Sequence, residues 1–262
     1  MTTPRDSTET HALFGHDRVG AGYASARPFL HPEAFARFRE RFGLAAPIHR
    51  ALDVGCGTGM SSVALLALSR EVVGVDASVE MLRHARGARG VTYVASTAEA
   101  LPFRGRPFEI VSACGAIDWV DRERFLPRVA ELLMSGGWLV SLDFGHAGRS
   151  TAIPGLEEWH RGTFRHRYPP PPSADPILTA EDAARHGFTA PTRTELLLTW
   201  TCTASGYAEF LLTESSVIAA VEYGEAGVDE IRAWLGEELA PLFGDEARAV
   251  TFVGYIQALR RR

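Results

Sequence analysis

The segment Leu52-Asp53-Val54-Gly55-Cys56-Gly57-Thr58-Gly59 constrains this chain more than any other. A short apolar run ends in three alternating glycines and passes into Ser61–Leu68, an apolar stretch of helical length. The chain therefore goes from strand to helix through a turn that β-carbons would obstruct. In an open α/β sheet such a turn lies at the carboxyl edge, where ligands bind. Spacing narrows the ligand. A dinucleotide fingerprint would place its third glycine at position 60, which is Met60, and no Lys-Ser or Lys-Thr follows as in a triphosphate loop. The alternative is a turn that binds nothing, but three alternating glycines exceed what a turn needs.

The surrounding pattern alternates. Ala51–Val54, Val72–Val75, Val91–Ala95, Phe108–Cys114 and Trp138–Asp143 read as short strands, the last started by the Gly136-Gly137 turn. Ser61–Leu68, Val79–Arg86 and Glu123–Leu133 between them read as helices, which predicts βαβ units and a parallel, doubly wound sheet of the α/β class. Upstream, Phe29, Phe35, Phe38 and Phe42 predict a helix over Phe29–Phe42, and the polar residues 1–12 predict a frayed start. Downstream, Gly145–Asp175 with its run Pro169–Pro172 predicts an irregular loop or lid. Thr179, with Asp182 three residues on, predicts a capped helix ending near Gly187. Tyr207–Val221 and Val228–Leu239 predict amphipathic helices, and Glu195–Thr203 and Ala249–Leu259 two final strands.

One enlarged domain accounts for 262 residues. The formal charge of -5 gives no basic field of the sort that holds nucleic acid or anionic lipid, so a small-molecule substrate is expected, with neither nucleic acid nor membrane as partner. Cys56, Cys114 and Cys202 are too few and too scattered for a zinc motif and odd in number for a disulfide set, and the histidines lack metal-ligand spacing. No metal is expected. The first residues lack the apolar run of a signal peptide and no window approaches a membrane span, which predicts a cytoplasmic protein, monomeric or homodimeric.

Asp76 closes the second strand about 20 residues beyond the turn, the distance at which a carboxylate accepts from ribose hydroxyls. A helix-capping role is the alternative, and Ser78 is available for that cap. The run from Ala51 to Phe144 resembles the class I S-adenosylmethionine methyltransferases, in particular the small-molecule branch of the ubiquinone-biosynthesis and trans-aconitate methyltransferase types. The resemblance rests on L-D-V-G-C-G-T-G at 52–59, V-G-V-D-A-S at 73–78 with Met81-Leu82, A-E-A-L-P-F at 98–103, and Gly136-Gly137. It implies a Rossmann-like seven-stranded sheet with helices on both faces and a helical substrate cap. Residues 1–50 would form an N-terminal lid and helices, 51–144 the cofactor-binding core, and 145–262 the substrate cap with the last two strands.

The resemblance further implies S-adenosylmethionine as cofactor, with Gly55, Cys56, Gly57 and Gly59 along its methionine part and Asp76 on the ribose. Ala77 and Met81 would pack near the adenine, Thr97, Ala98 and Glu99 would occupy the loop that meets it, and Cys114 would lie near the amino acid part. Thr97 stands where the family commonly has an aspartate, and Ser135 where it usually has proline. Tyr23-Ala24-Ser25-Ala26-Arg27-Pro28 resembles a Tyr-x-x-x-Arg-Pro stretch whose tyrosine closes over the cofactor, the alternative being a tyrosine that packs the first helix onto the sheet, and Leu211–Ser216 resembles a helix junction of the same branch.

The activity implied is methyl transfer to oxygen, nitrogen or carbon of a small organic acceptor. The alternative is a protein that uses the cofactor for a non-methylating reaction or as a regulatory ligand. Asp118 and Trp119 stand at the place of a common His-Trp or Gln-Trp pair. Asp118 is a candidate to orient or deprotonate the acceptor, or else a helix N-terminal residue, and Trp119 a wall of the transfer channel or a core aromatic. His146, three residues beyond the fifth strand, is the first candidate for a base, ahead of His160, His166 and His16. Trp159 and other aromatics after residue 145 are candidates for the substrate chamber, and Arg161, Arg165 and Arg167 for neutralising a carboxylate.

Overall fold

A computed structural model of the chain describes residues 13–45 and 47–262; the segment expected to fray lies outside them. Seven strands form one sheet: β1 (Ile48–Val54), β2 (Ser69–Asp76), β3 (Val91–Ala95), β4 (Phe108–Cys114), β5 (Leu133–His146), β6 (Thr192–Cys202) and β7 (Arg248–Arg260). Their order is β3-β2-β1-β4-β5-β7-β6. The first five run parallel, and β7 lies antiparallel between β5 and β6. The strand order reverses between β1 and β4, the switch point at which open α/β sheets bind ligands. Register levels the strand ends there: Val54 lies opposite both Val75 and Ala113, and Cys114 opposite Leu142. Gly55, Asp76, Gly115 and Asp143 consequently emerge along one edge.

The strands carry apolar side chains on both faces, as parallel strands covered by helices must. Ala51, Val72, Ile110 and Val140 pack with Phe35 and Phe38 of α2 (His31–Phe42). Leu52, Val73, Val111 and Leu139 pack with Phe125 and Val129 of α5 (Arg122–Leu132). Helix α2 starts two residues later than its phenylalanine spacing suggests, with Pro32 in its first turn, and stops at Gly43, whose φ of 60° supplies a left-handed cap. The helices α3 (Met60–Leu65) and α4 (Val79–Arg83) are shorter than expected. Ser78 caps α4 by accepting from Met81 N at 3.0 Å.

The largest departures lie at the two ends of the chain. Asp17–Ala26 forms helix α1, which carries Tyr23. The stretch expected to be irregular contains a continuous helical path: α6 (Leu156–Trp159), a π-turn (His160–Phe164) and α7 (Arg165–Arg167). Its Leu156, Trp159, His160 and Phe164 are buried on one side, a stripe too short to read between glycine and proline. Helix α8 (Ala180–Arg185) has the expected capping box. The single helix expected over Tyr207–Val221 is two, α9 (Ala204–Leu211) and α10 (Ser215–Glu222), parted where Thr213 Oγ1 donates back to Phe210 O at 2.6 Å. Helix α11 (Val228–Phe243) completes a cap packed over β6 and β7. The Gly136-Gly137 pair falls inside β5, at a break in its register with β4.

Candidate active site

A cavity of about 400 Å³ opens at the switch point. Its floor is the glycine turn. Gly55 and Gly57 have φ of 68° and 53°, and Gly55 N and Cys56 N both donate to Val75 O, at 2.8 and 3.0 Å. A β-carbon on Gly55 would stand 2.5 Å from Ala116 Cβ, and one on Gly57 3.1 Å from Met81 Cε. The turn is braced from below by Asp53, wholly buried, which accepts from Ser61 Oγ (2.6 Å), Ser62 Oγ (2.7 Å) and Ser112 Oγ (2.7 Å). Burial raises the Asp53 pKa against the lowering effect of those hydroxyls. Asp76 braces it from the side: Oδ2 accepts from Gly57 N at 2.7 Å and Oδ1 from Ser78 N at 2.8 Å.

Tyr23, Gly55, Cys56, Gly57, Asp76, Ala77, Met81, Ala98, Glu99 and Cys114 all line the cavity, as do Asp118 and Trp119. Burial pushes the thiols of Cys56 and Cys114 well above the usual range, so both are neutral apolar wall. Asp121 is the N-cap of α5, accepting from Glu123 N at 3.1 Å, which leaves Asp118 in the loop before it. Burial, and after it the neighbouring Asp143 carboxylate, pushes Asp118 up to about 6. Trp119 meets Phe14 edge to face at 5.8 Å.

Four expected residues lie elsewhere. Gly59 caps α3 with φ 75°, and a β-carbon there would stand 2.0 Å from Tyr93 Oη; this glycine admits the tyrosine rather than a ligand. Thr97 precedes the short turn Ala98–Ala100, and Ser96 takes the lining position instead. His146 is not in a ligand-edge loop, because β5 runs three residues past Asp143 and pairs His146 with Phe252. The strand carries it behind the cavity wall, where Nδ1 meets Tyr207 Oη at 2.6 Å and the ring packs on His160 and Phe210. Burial lowers its pKa well below the ordinary histidine value, and no acceptor in the cavity reaches it. Trp159 donates to Glu238 Oε2 at 2.8 Å and stacks on Trp234 within the cap core. Arg161, Arg165 and Arg167 are likewise absent from the cavity wall; Arg165 pairs with Glu214 and Arg167 with Glu230.

Sequence reasoning missed the roles of Arg27, His31, Asp143 and Glu214, which all line the cavity. Arg27 donates to Thr213 O at 2.7 Å and Tyr23 Oη at 3.2 Å, and lies 3.4 Å from Glu214 Oε1. The Tyr-x-x-x-Arg-Pro stretch and the helix junction, noticed separately in the sequence, are two halves of one contact. Burial, then the positive charges of Arg27 and Arg86, lower His31 to about 4.

Residues 52–141 match the methyltransferase domain family. That stretch contains the glycine turn, Asp76 and the loop of Asp118. That stretch is a methyltransferase domain, in keeping with the resemblance of the sequence to the class I S-adenosylmethionine-dependent enzymes. Over 122 residues the chain is 38% identical to the uncharacterized methyltransferase Rv3342 of Mycobacterium tuberculosis, covering 46% of this chain and 48% of that protein. It is 36% identical over 94 residues to the ubiquinone biosynthesis O-methyltransferase of a Chelativorans species, covering 34% and 37%. The matched stretches thus span half or less of these curated relatives. The fold extends further: a solved structure from Anaeromyxobacter dehalogenans superposes with a TM-score of 0.63 at 21% identity, covering 87% of this chain and 95% of that one. The YcgJ protein of Bacillus subtilis does so with a TM-score of 0.53 at 19% identity, covering 88% and 98%. S-adenosylmethionine is the cofactor of this domain class.

Proposed function

We propose that this protein transfers a methyl group from S-adenosylmethionine to a small organic acceptor held in the same cavity. The observation that carries this is the continuity of one wall: Gly55, Gly57 and Asp76 pass without a break, through Cys114 and Gly115, into a half lined by Asp118, Trp119, Asp143 and Phe144. The cofactor suits the first half, since the backbone of Gly55 and Gly57 lines it without side chains and the Asp76 carboxylate borders it. Tyr23, Gly55, Cys56, Gly57, Asp76, Ala77, Met81, Ala98, Glu99 and Cys114 would hold it. When bound, it supplies a methyl group on a sulfonium, so that the acceptor's lone pair takes the methyl carbon while the sulfur–carbon electron pair remains on sulfur.

The protein's share is alignment and exclusion of water. Helix α1 and the cap, joined through Arg27 and Glu214, cover the cavity, and Trp119 and Phe144 form apolar wall beside the acceptor. Asp118, held up to about 6, accepts a proton from an acceptor at neutral pH. In this reading the described residues before 51 and residues 145–240 act as lid and cap over the core 51–144. A small-molecule, cytoplasmic enzyme without a nucleic-acid partner fits the charge of -5 and the three free cysteines. Among the described residues no helix is long and apolar enough to cross a membrane. The test is incubation with methyl-labelled cofactor and a panel of phenols, acids and amines. A product heavier by one methyl supports the proposal; a protein that binds cofactor yet labels nothing in any class overturns it.

A further inference from the structure

The acceptor half of the cavity is acidic and aromatic at once, and this decides what it can hold. Among the described residues five carboxylates line the cavity, Asp76, Glu99, Asp118, Asp143 and Glu214, against one guanidinium, Arg27. Three of the five are engaged by the protein. Asp76 accepts from Gly57 N and Ser78 N, Glu99 accepts from Asp121 N at 2.9 Å, and Glu214 lies between Arg27 and Arg165, each at 3.4 Å. Asp118 and Asp143 have neutral donors only, Ser173 and backbone N–H for Asp118 and the Phe144 backbone for Asp143, and among the described residues no basic side chain comes within ion-pair distance of either. Asp143 ends the parallel part of the sheet beside Gly115, where a β-carbon would stand 3.5 Å from Asp143 Oδ1, and Asp118 follows three residues after that glycine. His31, on the same cavity, is neutral above about pH 4, and burial keeps the Cys114 thiol neutral. Trp119 and Phe144, next in sequence to the two aspartates, line the same cavity.

Arg27 and Arg122 act on Asp143 and Asp118 only from beyond ion-pair distance; two neighbouring carboxylates taken out of water with no cation in contact are unfavourable, and aromatic faces attract cations. A cationic occupant satisfies both. The cap arginines Arg161, Arg165 and Arg167, the candidates to neutralise an anionic acceptor, lie outside the cavity. We infer that the acceptor is an amine, entering as its ammonium ion between Asp118 and Asp143 with its apolar part against Trp119 and Phe144, and that methylation is at nitrogen. This rests on the methyl-donor reading above and adds the acceptor class to it. Before transfer one N–H bond breaks. Its proton passes to a carboxylate oxygen of Asp118, and the bonding pair stays on nitrogen as the lone pair that takes the methyl group; Asp118 then releases the proton to water. Burial raises both aspartates, and after it the Asp143 charge raises Asp118 and the Glu214 charge raises Asp143, which agrees with a site that accepts a cation.

The test is calorimetric and needs no turnover. The full chain, saturated with S-adenosylhomocysteine, is titrated with 2-phenylethylamine, 2-phenylethanol and 3-phenylpropionate, three probes of one shape and different charge. The amine is expected to bind about tenfold or more tightly than the other two, as a charge-assisted hydrogen bond allows. Asp143→Asn and Asp118→Asn each remove most of that preference while S-adenosylhomocysteine affinity stays within about twofold, which also reports that both variants are folded. Equal binding of the alcohol or the acid, or no binding of the amine, overturns the inference and leaves the donor reading standing. Loss of S-adenosylhomocysteine in Asp143→Asn in step with the amine also overturns it, because Asp143 then serves the cofactor's own ammonium group. Failure of the parent protein to bind S-adenosylhomocysteine overturns the donor reading, and this inference with it.

Discussion

Replacing His160 by phenylalanine should make the protein more tolerant of acid, by an amount the structure sets. His160 is 4% exposed, its ring stacks on Phe164 at 5.3 Å and meets His146 at 4.4 Å, and its Nε2 has no hydrogen-bond partner. Burial, then the nearby His146 and Arg165, lower it to about 3. In the unfolded chain it titrates near 6.5. Between those values the unfolded state binds the proton and the folded state does not. The stability His160 permits is therefore complete above pH 6.5 and falls by ~1.4 kcal/mol for each unit below it. At pH 5 the loss relative to pH 8 is about 2 kcal/mol, a sizeable part of a domain's ~5–15 kcal/mol. Raised carboxylates such as Asp118 shift stability the opposite way over part of this range, but they are common to parent and variant. Urea unfolding of both proteins at pH 8, 6.5 and 5 isolates the histidine. The unfolding free energy of His160→Phe should gain about 2 kcal/mol on the parent between pH 8 and pH 5. Curves that stay parallel across that range would refute a neutral, buried His160.

Asp53→Ala leaves the hydroxyls of Ser61, Ser62 and Ser112 without their common acceptor and should cost about 3 kcal/mol in chemical unfolding, whereas Ser112→Ala, which removes one of the three bonds, should cost about 1. Gly59→Ala places a methyl group at φ 75° against the Tyr93 phenol and should cost at least about 2 kcal/mol, part of which returns in Gly59→Ala with Tyr93→Phe. If the proposed proton transfer holds, kcat/KM for an amine acceptor rises with pH through about 6 as Asp118 ionises. Asp118→Asn should flatten that limb; a limb that persists in the variant assigns the titration to another group.

The central sheet was legible because each parallel strand is a short apolar run closed by a turn. Val91–Ala95 and Phe108–Cys114 stand in the structure where the sequence places them. The glycine turn was legible in kind but not residue by residue. Gly55 and Gly57 border the cavity, while Gly59 answers to Tyr93, thirty-four positions away in sequence and invisible to any local pattern. The cap resisted reading because its elements are brief and their order comes from tertiary contacts. The break between α9 and α10 falls in Leu211–Ser216, which the resemblance marked as a helix junction but helical spacing alone ran through, and Thr213 folds back on Phe210 there. His146 shows how a small error in a strand end changes a chemical role: three extra residues of β5 turn a candidate base at the ligand edge into a buried partner of Tyr207. Asp143, which the sequence offered only as the last residue of a strand, stands at that edge.

The measurement closest to the central claim is equilibrium binding of S-adenosylhomocysteine to the parent protein and to Asp76→Ala. One site per chain is expected in the parent, with affinity reduced about tenfold or more in the variant, the range of hydrogen bonds to a charged group. No binding by the parent, or equal binding by both, would contradict the assignment of this cavity to the methyl donor.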